Sequence, residues 1–370
     1  MSKALLAALV LSSTGFVAAQ QAAVLVDTTL DQLFSVDLAT GAVTLIGSVL
    51  PGPATCADLA WREDTKQLWT LDLGAGGLGT LDLTTGAWTV AWPSPTTGWQ
   101  GLAWDPTTQN FFAANQNDTL YRIDPTTGVF TLVGPTTTTY LITALSVDAR
   151  GRLIGIDFTT GTVVQIDKNT AATTVLFSGI NNIQGLDIAS DGTWYGVNTS
   201  TDSLYVFNPV TGGATLVGPC IGTQFAKGFQ VIDTGVVRGG AACADGNGST
   251  RRMTWSGSSA VGNTLVLDVE AGTSPMLAVV FLGLSAETYG PLPLPFDLAP
   301  IGAPGCLLHT SSEVGLGPVV AGLGGIAIPI PPTTLPGFQM FSQAVILDSG
   351  AVPNPLGLAF TDFVRIVITN

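Results

Sequence analysis

The chain of 370 residues is long enough for two domains, and its composition excludes several classes of partner at the outset. Only 10% of residues are charged, the net charge is −14 and no basic cluster occurs, which argues against nucleic acid and against anionic lipid surfaces. A mean hydropathy of +0.45, with 45 Gly and 22 Pro between apolar runs, describes strands punctuated by turns rather than a disordered chain.

The first nineteen residues have the layout of a secretory signal: Lys3, an apolar stretch from Ala4 to Leu11, and small residues at Val17-Ala18-Ala19 before a cut after Ala19. No later apolar run of about 18 residues is free of Gly, Pro or polar breaks, so no transmembrane span is expected in the mature chain. The reading is therefore of an exported protein, secreted or at the cell surface.

From residue 33 the chain repeats itself. Leu33–Gly47 (LFSVDLATGAVTLIG), Leu78–Val90, Leu120–Gly134 (LYRIDPTTGVFTLVG), Val163–Leu176 and Leu204–Gly218 each hold an alternating apolar run, an Asp or Asn, a Thr-Gly or Thr-Ala turn, and a second alternating run. Period-two alternation rich in Val, Leu, Phe and Thr reads as half-buried strand. The Asp side chain can accept backbone N–H groups of the turn, and Gly supplies its φ > 0 position. Asp37, Asp82, Asp124 and Asp167 are thereby turn-formers.

A second signature precedes most hairpins: DLAW at Asp58–Trp61, GLAW at Gly101–Trp104, ALSV at Ala144–Val147, GLDI at Gly185–Ile188 and GFQV at Gly228–Val231. Their starts are spaced by 43, 43, 41 and 43 residues. A period of about 40–45 residues with four strands per unit predicts a β-propeller. Ala22–Gly47 lacks a first strand, and Gly228–Asp233 is a first strand with nothing after it. Pairing the two completes a composite blade and closes a five-bladed ring, leaving no open end to the array. Over about residues 22–234 these repeats resemble secreted bacterial propellers of the broad NHL and YVTN kind, which implies a ring scaffold and no particular ligand.

The period stops after Val236. Residues 238–249 read as linker and first loop. Asn263–Glu270, Met276–Phe281, Gly325–Ile330, Met340–Leu347 and Phe363–Ile368 read as strands of an antiparallel β-sandwich, and the prolines of Pro291–Pro300 keep that stretch out of a central strand. The segments Ala299-Pro-Ile-Gly-Ala-Pro-Gly-Cys306-Leu-Leu, Ile328-Pro-Ile-Pro and Phe341-Ser-Gln-Ala-Val-Ile-Leu-Asp348 resemble a C-terminal module recurring in secreted proteins of planctomycete-type bacteria. His309 and Thr361-Asp362 depart from that pattern. The resemblance implies an exported, non-catalytic appendage. The whole chain is read as all-β, with a signal peptide over 1–19, a propeller over 20–236 and a sandwich over 237–370.

Four cysteines in an exported chain predict disulfides. Cys56 and Cys220 lie in connections flanking the composite blade, and Cys243 and Cys306 both belong to the C-terminal part, so the expected pairs are 56–220 and 243–306. With no Cys-x-x-Cys spacing and His309 as the single histidine, no zinc site is expected. No loop carries the closely spaced acidic ligands of a calcium motif, so a structural calcium ion would have to use dispersed carbonyls and carboxylates; the Gly-rich stretch from Leu73 lacks the helix and Lys of a phosphate cradle, and no cofactor is called for.

Glycoside cleavage needs two positioned carboxylates. The repeat region has one Glu, Glu63, which the repeat puts on a hairpin tip away from the mouth. Asp58, Asp105, Asp148 and Asp187 fall in or beside first strands and are the remaining channel candidates. Trp61, Trp69 and Trp104 fit core packing, whereas Trp99 reads as exposed. The residues directly before each first-strand signature are Ala57, Gln100, Thr143, Gln184 and Lys227, positions that ring the mouth of a propeller channel. Trp99, Gln100, Thr143, Gln184 and Lys227 are the candidate ligand-binding set, with no catalytic or metal residue assigned. The expected function is an exported, non-enzymatic binding protein whose partner is an extracellular protein or a glycan. The alternatives are a carbohydrate-active hydrolase or lyase using channel carboxylates, and a purely structural matrix component.

Overall fold

Alternating side chains and Asp-Gly turns leave little choice but antiparallel hairpins, and the computed structural model consists of them. It describes residues 22–49, 55–74, 76–136, 141–232, 235–244, 248–270, 276–322, 325–347 and 357–369. The expected signal segment and Asp233 lie outside the described residues. Apart from a three-residue 3-10 turn at Ala299–Ile301, the described elements are all β-strands.

The described residues from Ala22 to Ile232 form five four-stranded antiparallel sheets. Four are continuous in sequence, with first strands Cys56–Arg62, Trp99–Asp105, Ile142–Val147 and Ile183–Ile188. The fifth is composite. Its first strand is Ala226–Ile232, and Ala22–Asp27, Gln32–Val36 and Val43–Ser48 follow in order. Leu25 stands opposite Phe229 in this pairing, and Ala22 opposite Ile232. Each first strand packs against the first strands of the sheets before and after it, and Ala226–Ile232 touches both Ile183–Ile188 and Cys56–Arg62, so the cycle is closed. The arrangement is of the propeller type. Apolar clusters fill the gaps between neighbouring sheets, for example Trp69, Trp99, Trp104 and Phe111 between the sheets that start at Cys56 and Trp99.

The turns behave as their composition predicts. Asp37, Asp82, Asp124, Asp167 and Asn208 each accept a backbone N–H two residues on, at 2.7–2.9 Å. Gly41, Gly86, Gly128 and Gly212 have φ of +69 to +77°, and Ala171 takes the same place at +61°. Thr84 holds the Asp82 carboxyl down at about 2. The glycine of the strand after the turn has a separate reason. A Cβ on Gly218 would lie 2.0 Å from the Thr40 carbonyl oxygen, and one on Gly47 would lie 1.9 Å from that of Thr85. The turn of one sheet is thus seated on the outer strand of the sheet before it, including across the junction between last and first.

The outermost strands share a further feature. In all five, one residue is extra to the ladder: Ile46, Ala91, Val133, Leu176 and Val217 each sit at a register shift against the third strand. These are β-bulges at one repeated position.

The described residues from Val236 onward include a five-stranded sheet in the order Val236–Gly239, Leu358–Val367, Gln339–Leu347, Leu277–Gly283, Val314–Val320, and a three-stranded sheet of Met253–Gly257, Thr264–Val269 and Ile326–Pro329. The two sheets share an apolar core that includes Leu265, Leu267, Val280, Ile346, Val364 and Ile366. The expected strands are present within a few residues; Val236–Gly239, Met253–Gly257 and Val314–Val320 were not anticipated. Pro291–Pro300 contains only two-residue bridges and part of the 3-10 turn.

The disulfides correct one expectation. Cys243 and Cys306 are joined, but Cys56 and Cys220 are buried free thiols. The composite sheet stands between them. Cys56 packs with Val24, Val26 and Leu33 on one face, whereas Cys220 packs with Ala23, Leu25 and Phe229 on the other. Both residues flank the same sheet, as the sequence indicates, but from opposite sides of a pleat.

This C-terminal unit docks on one end of the cycle of sheets. Arg365 donates to the Asp148 carbonyl at 3.0 Å and pairs with Glu63 at 3.7 Å. Gln109 donates to Gly337 O, and Gln339 to Pro106 O. Ala149, Val237, Ala286, Phe341 and Phe363 form an apolar cluster across the junction. Glu63 is on a hairpin tip, as the repeat requires, yet it is buried because the tip is covered.

Candidate mouth and channel

The first strand of each sheet has only one partner within its sheet, so its inner edge presents unpaired N–H groups to the central axis. A buried N–H must find an acceptor. The polar residues of the channel supply it.

Asp58 occupies the position held by Gly101, Ala144, Gly185 and Gly228 in the other sheets. Neighbouring first strands come close at the glycine positions. A Cβ on Gly185 would lie 2.6 Å from the Lys227 carbonyl oxygen, and one on Gly101 would lie 2.9 Å from Leu145. Into this space Asp58 extends a single carboxylate. Its Oδ2 accepts from Leu102 N and Leu145 N, both at 3.1 Å, and so ties together three first strands. Its Oδ1 is buried with no hydrogen-bond partner. Complete burial holds the carboxyl well above its ordinary range, against the pull of the backbone donors and of Lys227.

One layer further along, Asp187 accepts from Ser146 Oγ at 2.7 Å, Val231 N at 2.8 Å and Gln230 Nε2 at 2.5 Å. Gln230 Oε1 accepts from Trp61 N at 3.0 Å. The other two candidates are turn carboxylates. Asp105 accepts from Thr107 and Thr108 and pairs with Lys168 at 2.8 Å; Asp148 accepts from the backbone of Arg150 and Arg152. Asp187 lines a small polar cavity of about 30 Å³, together with residues that include Trp61, Glu63, Trp104, Gln230 and Arg365. The C-terminal unit closes the channel at this end.

At the opposite end stand the predicted mouth residues, and two of them meet. Lys227 Nζ donates to Gln100 Oε1 at 3.0 Å across the start of the intervening first strand, Cys56–Arg62. Desolvation pulls the ammonium down to about 8, against the opposing pull of Asp58. Thr143 Oγ1 donates to Ile183 O at 2.8 Å, next to Gln184, whose Oε1 is buried without a partner. Gln100 is half-exposed; Thr143, Gln184 and Lys227 are largely buried.

Trp99 is not at the mouth. It is fully buried, packed edge-on to Tyr121 and against Phe130. Its indole N–H is taken by Ser94 Oγ at 2.7 Å and Thr96 O at 3.1 Å. The loop before it folds back to supply those acceptors, and a junction position alone does not reveal this.

A second ring of polar residues was not singled out in the sequence. Asp27, Asp72, Asn115, Asp157 and Asn198 close the second strands, and each accepts N–H groups of the turn that follows. Asp27 also accepts from Gln224 and Phe225, fastening the composite sheet at its seam. Their spacing of 41–45 residues is the signal that could have found them. Among the described residues, no group of three or more His, Cys, Asp or Glu has the geometry to hold a metal.

No family model and no curated protein matches the sequence. Solved structures similar to the chain include a nidogen/laminin complex, at 13% identity and a TM-score of 0.43, covering 58% of this chain and 82% of that one. A streptogramin B lyase aligns at 14% identity and a TM-score of 0.36, covering 55% and 70% respectively. A protein of unknown function from Bacteroides thetaiotaomicron aligns at 12% identity and a TM-score of 0.42, covering 58% and 68%.

Proposed function

We propose that the chain is an exported, non-enzymatic binding protein, a five-bladed β-propeller over about residues 20–236 followed by an accessory β-sandwich over 237–370. Its ligand surface is the open mouth of the channel, and its partner is an extracellular protein or a glycan. One observation carries this reading. The groups at the mouth are the amides of Gln100 and Gln184, the hydroxyl of Thr143 and the ammonium of Lys227, whereas Asp58 and Asp187 are spent on the inner-edge N–H groups of the ring. Such a mouth can hold a ligand by hydrogen bonds, and its carboxylates are not free to act as a general acid and base pair. Export is supported by the signal-like layout of residues 1–19 and by the Cys243–Cys306 bridge.

The test is a screen of the purified protein on polysaccharide and extracellular-protein arrays, scored for binding and for product release. Gln100→Ala and Gln184→Ala are expected to weaken a captured ligand about tenfold each, the worth of one hydrogen bond to a buried polar group, with unchanged unfolding curves. Release of product that disappears in Asp58→Asn would overturn the reading in favour of a hydrolase or lyase.

A further inference from the structure

The single histidine of the chain sits in the junction between the ring and the C-terminal unit, where nothing described so far gives it a purpose. His309 is almost fully buried. Its ring lies 5.6 Å from that of Phe363, and its Nε2 lies 2.8 Å from the Ala241 carbonyl oxygen. Gly240 makes room for it, since a Cβ there would lie 2.7 Å from the imidazole Cε1. On the other side, its Nδ1 meets the Arg150 guanidinium of the ring. Arg150 also stacks over Phe363 at 4.8 Å and donates to Ala286 O at 3.3 Å.

A guanidinium has no acceptor and is always charged. Nδ1 must therefore offer its lone pair to Arg150, and Nε2 carries the proton that is donated to Ala241. The docked arrangement requires a neutral imidazole in this one tautomer. We propose that His309 is an acid-sensitive latch: a proton from solvent bound at Nδ1 replaces the Arg150–His309 hydrogen bond by two abutting cations and releases the C-terminal unit from the ring. Release uncovers the closed end of the channel, with Trp61, Glu63, Trp104, Asp187 and Gln230 at its base.

Desolvation is the main force that holds the imidazole down, to about 4 from 6.5; the Ala241 contact opposes it and Arg150 reinforces it. The sign follows from linkage. The docked state binds the proton more weakly than the free one, so docking is at full strength above pH 6.5, weakens as pH falls and loses this contribution as pH reaches about 4. Other charges face the same junction: Asp148 and Arg152 on the turn of Arg150, Arg365 paired with Glu63, and Glu287 and Glu313 on the segments before and after His309. Their charges act across the same junction, and the test must leave them in place.

The experiment is small-angle scattering with tryptophan fluorescence on the untagged full chain from pH 7.5 to 4. Wild type is expected to expand, with a red shift from Trp61 and Trp104, between pH 6.5 and 4. His309→Gln keeps an acceptor for Arg150 and a donor for Ala241 but cannot charge, and is expected to stay compact over that range. The same transition in His309→Gln, or a wild type that stays compact to pH 4, would overturn the proposal. Should His309→Gln fail to dock at neutral pH, an NMR titration of the histidine in the wild type decides: a value near 6.5 overturns the latch, and a depressed value whose titration coincides with expansion supports it.

Discussion

Replacing Asp58 tests whether the channel carboxylates are structural. In Asp58→Ala the amide N–H groups of Leu102 and Leu145 lose their common acceptor inside the ring. Each stranded donor costs roughly 1–3 kcal/mol, and removing a desolvated carboxyl returns part of that, so the net loss is about 2–4 kcal/mol. Asp58→Asn keeps one oxygen for both donors and removes the ionisable proton. It should remain within about 1 kcal/mol of wild type, well inside the difference made by stranding both donors. The pH dependence separates the two proteins further. Because the folded-state value of Asp58 is raised above 3.8, its contribution is fully present below that pH and is lost as pH rises through the folded value. Asp58→Asn lacks this loss and should gain on wild type as pH rises from 4 to 8. Urea unfolding followed by tryptophan fluorescence at both pH values is the assay. An Asp58→Ala protein as stable as wild type, or an Asp58→Asn protein as damaged as Asp58→Ala, would refute the reasoning.

Further expectations concern the seam, the thiols and the aromatic core. Gly218→Val drives a side chain into the Thr40 carbonyl at the junction of last and first sheets and should cost at least ~2 kcal/mol in urea unfolding; a neutral effect would show that the seam does not bear on closure. Protein denatured without reductant should react with a thiol reagent at Cys56 and Cys220 and nowhere else, and finding no reactive thiol would restore the 56–220 bridge. Cys306→Ala should lower the stability of the C-terminal unit by roughly 2–4 kcal/mol, read as the midpoint of its unfolding. Trp99→Ala should cost roughly 3–5 kcal/mol, as for a buried aromatic ring; a stable variant would return Trp99 to the surface.

Most of the ring was legible because its signals are local. Alternation sets strand faces, Asp and Gly set the turns, and the missing first strand before Ala22 pointed to Gly228–Asp233 as its partner, where the strand Ala226–Ile232 pairs. Asp58 was visible as well, since it breaks a column of Gly and Ala. What escaped depends on contacts between distant segments. Glu63 was read correctly as a hairpin tip, but only docking of Arg365 some 300 positions later buries it. The 56–220 pair failed because proximity in connectivity does not say which face of the intervening sheet a thiol occupies. Trp99 failed because its acceptors come from its own preceding loop, in a conformation that Pro93, Pro95 and Gly98 do not announce.

The repeated bulge of the outermost strands bears on how the molecule meets its neighbours. Those strands end their sheets, and their central residues Leu45, Val90, Leu132, Val175 and Leu216 are aliphatic and exposed. None of the five carries a charged residue that would deter a foreign strand. An added strand needs an unbroken row of donors and acceptors at regular spacing, and the extra residue at Ile46, Ala91, Val133, Leu176 and Val217 interrupts that row on every side of the ring. With charge so scarce in this chain, geometry takes over the task that lysines perform at the margins of other sheets. Deleting one of these inserted residues would straighten its margin into a template for a strand from a second copy.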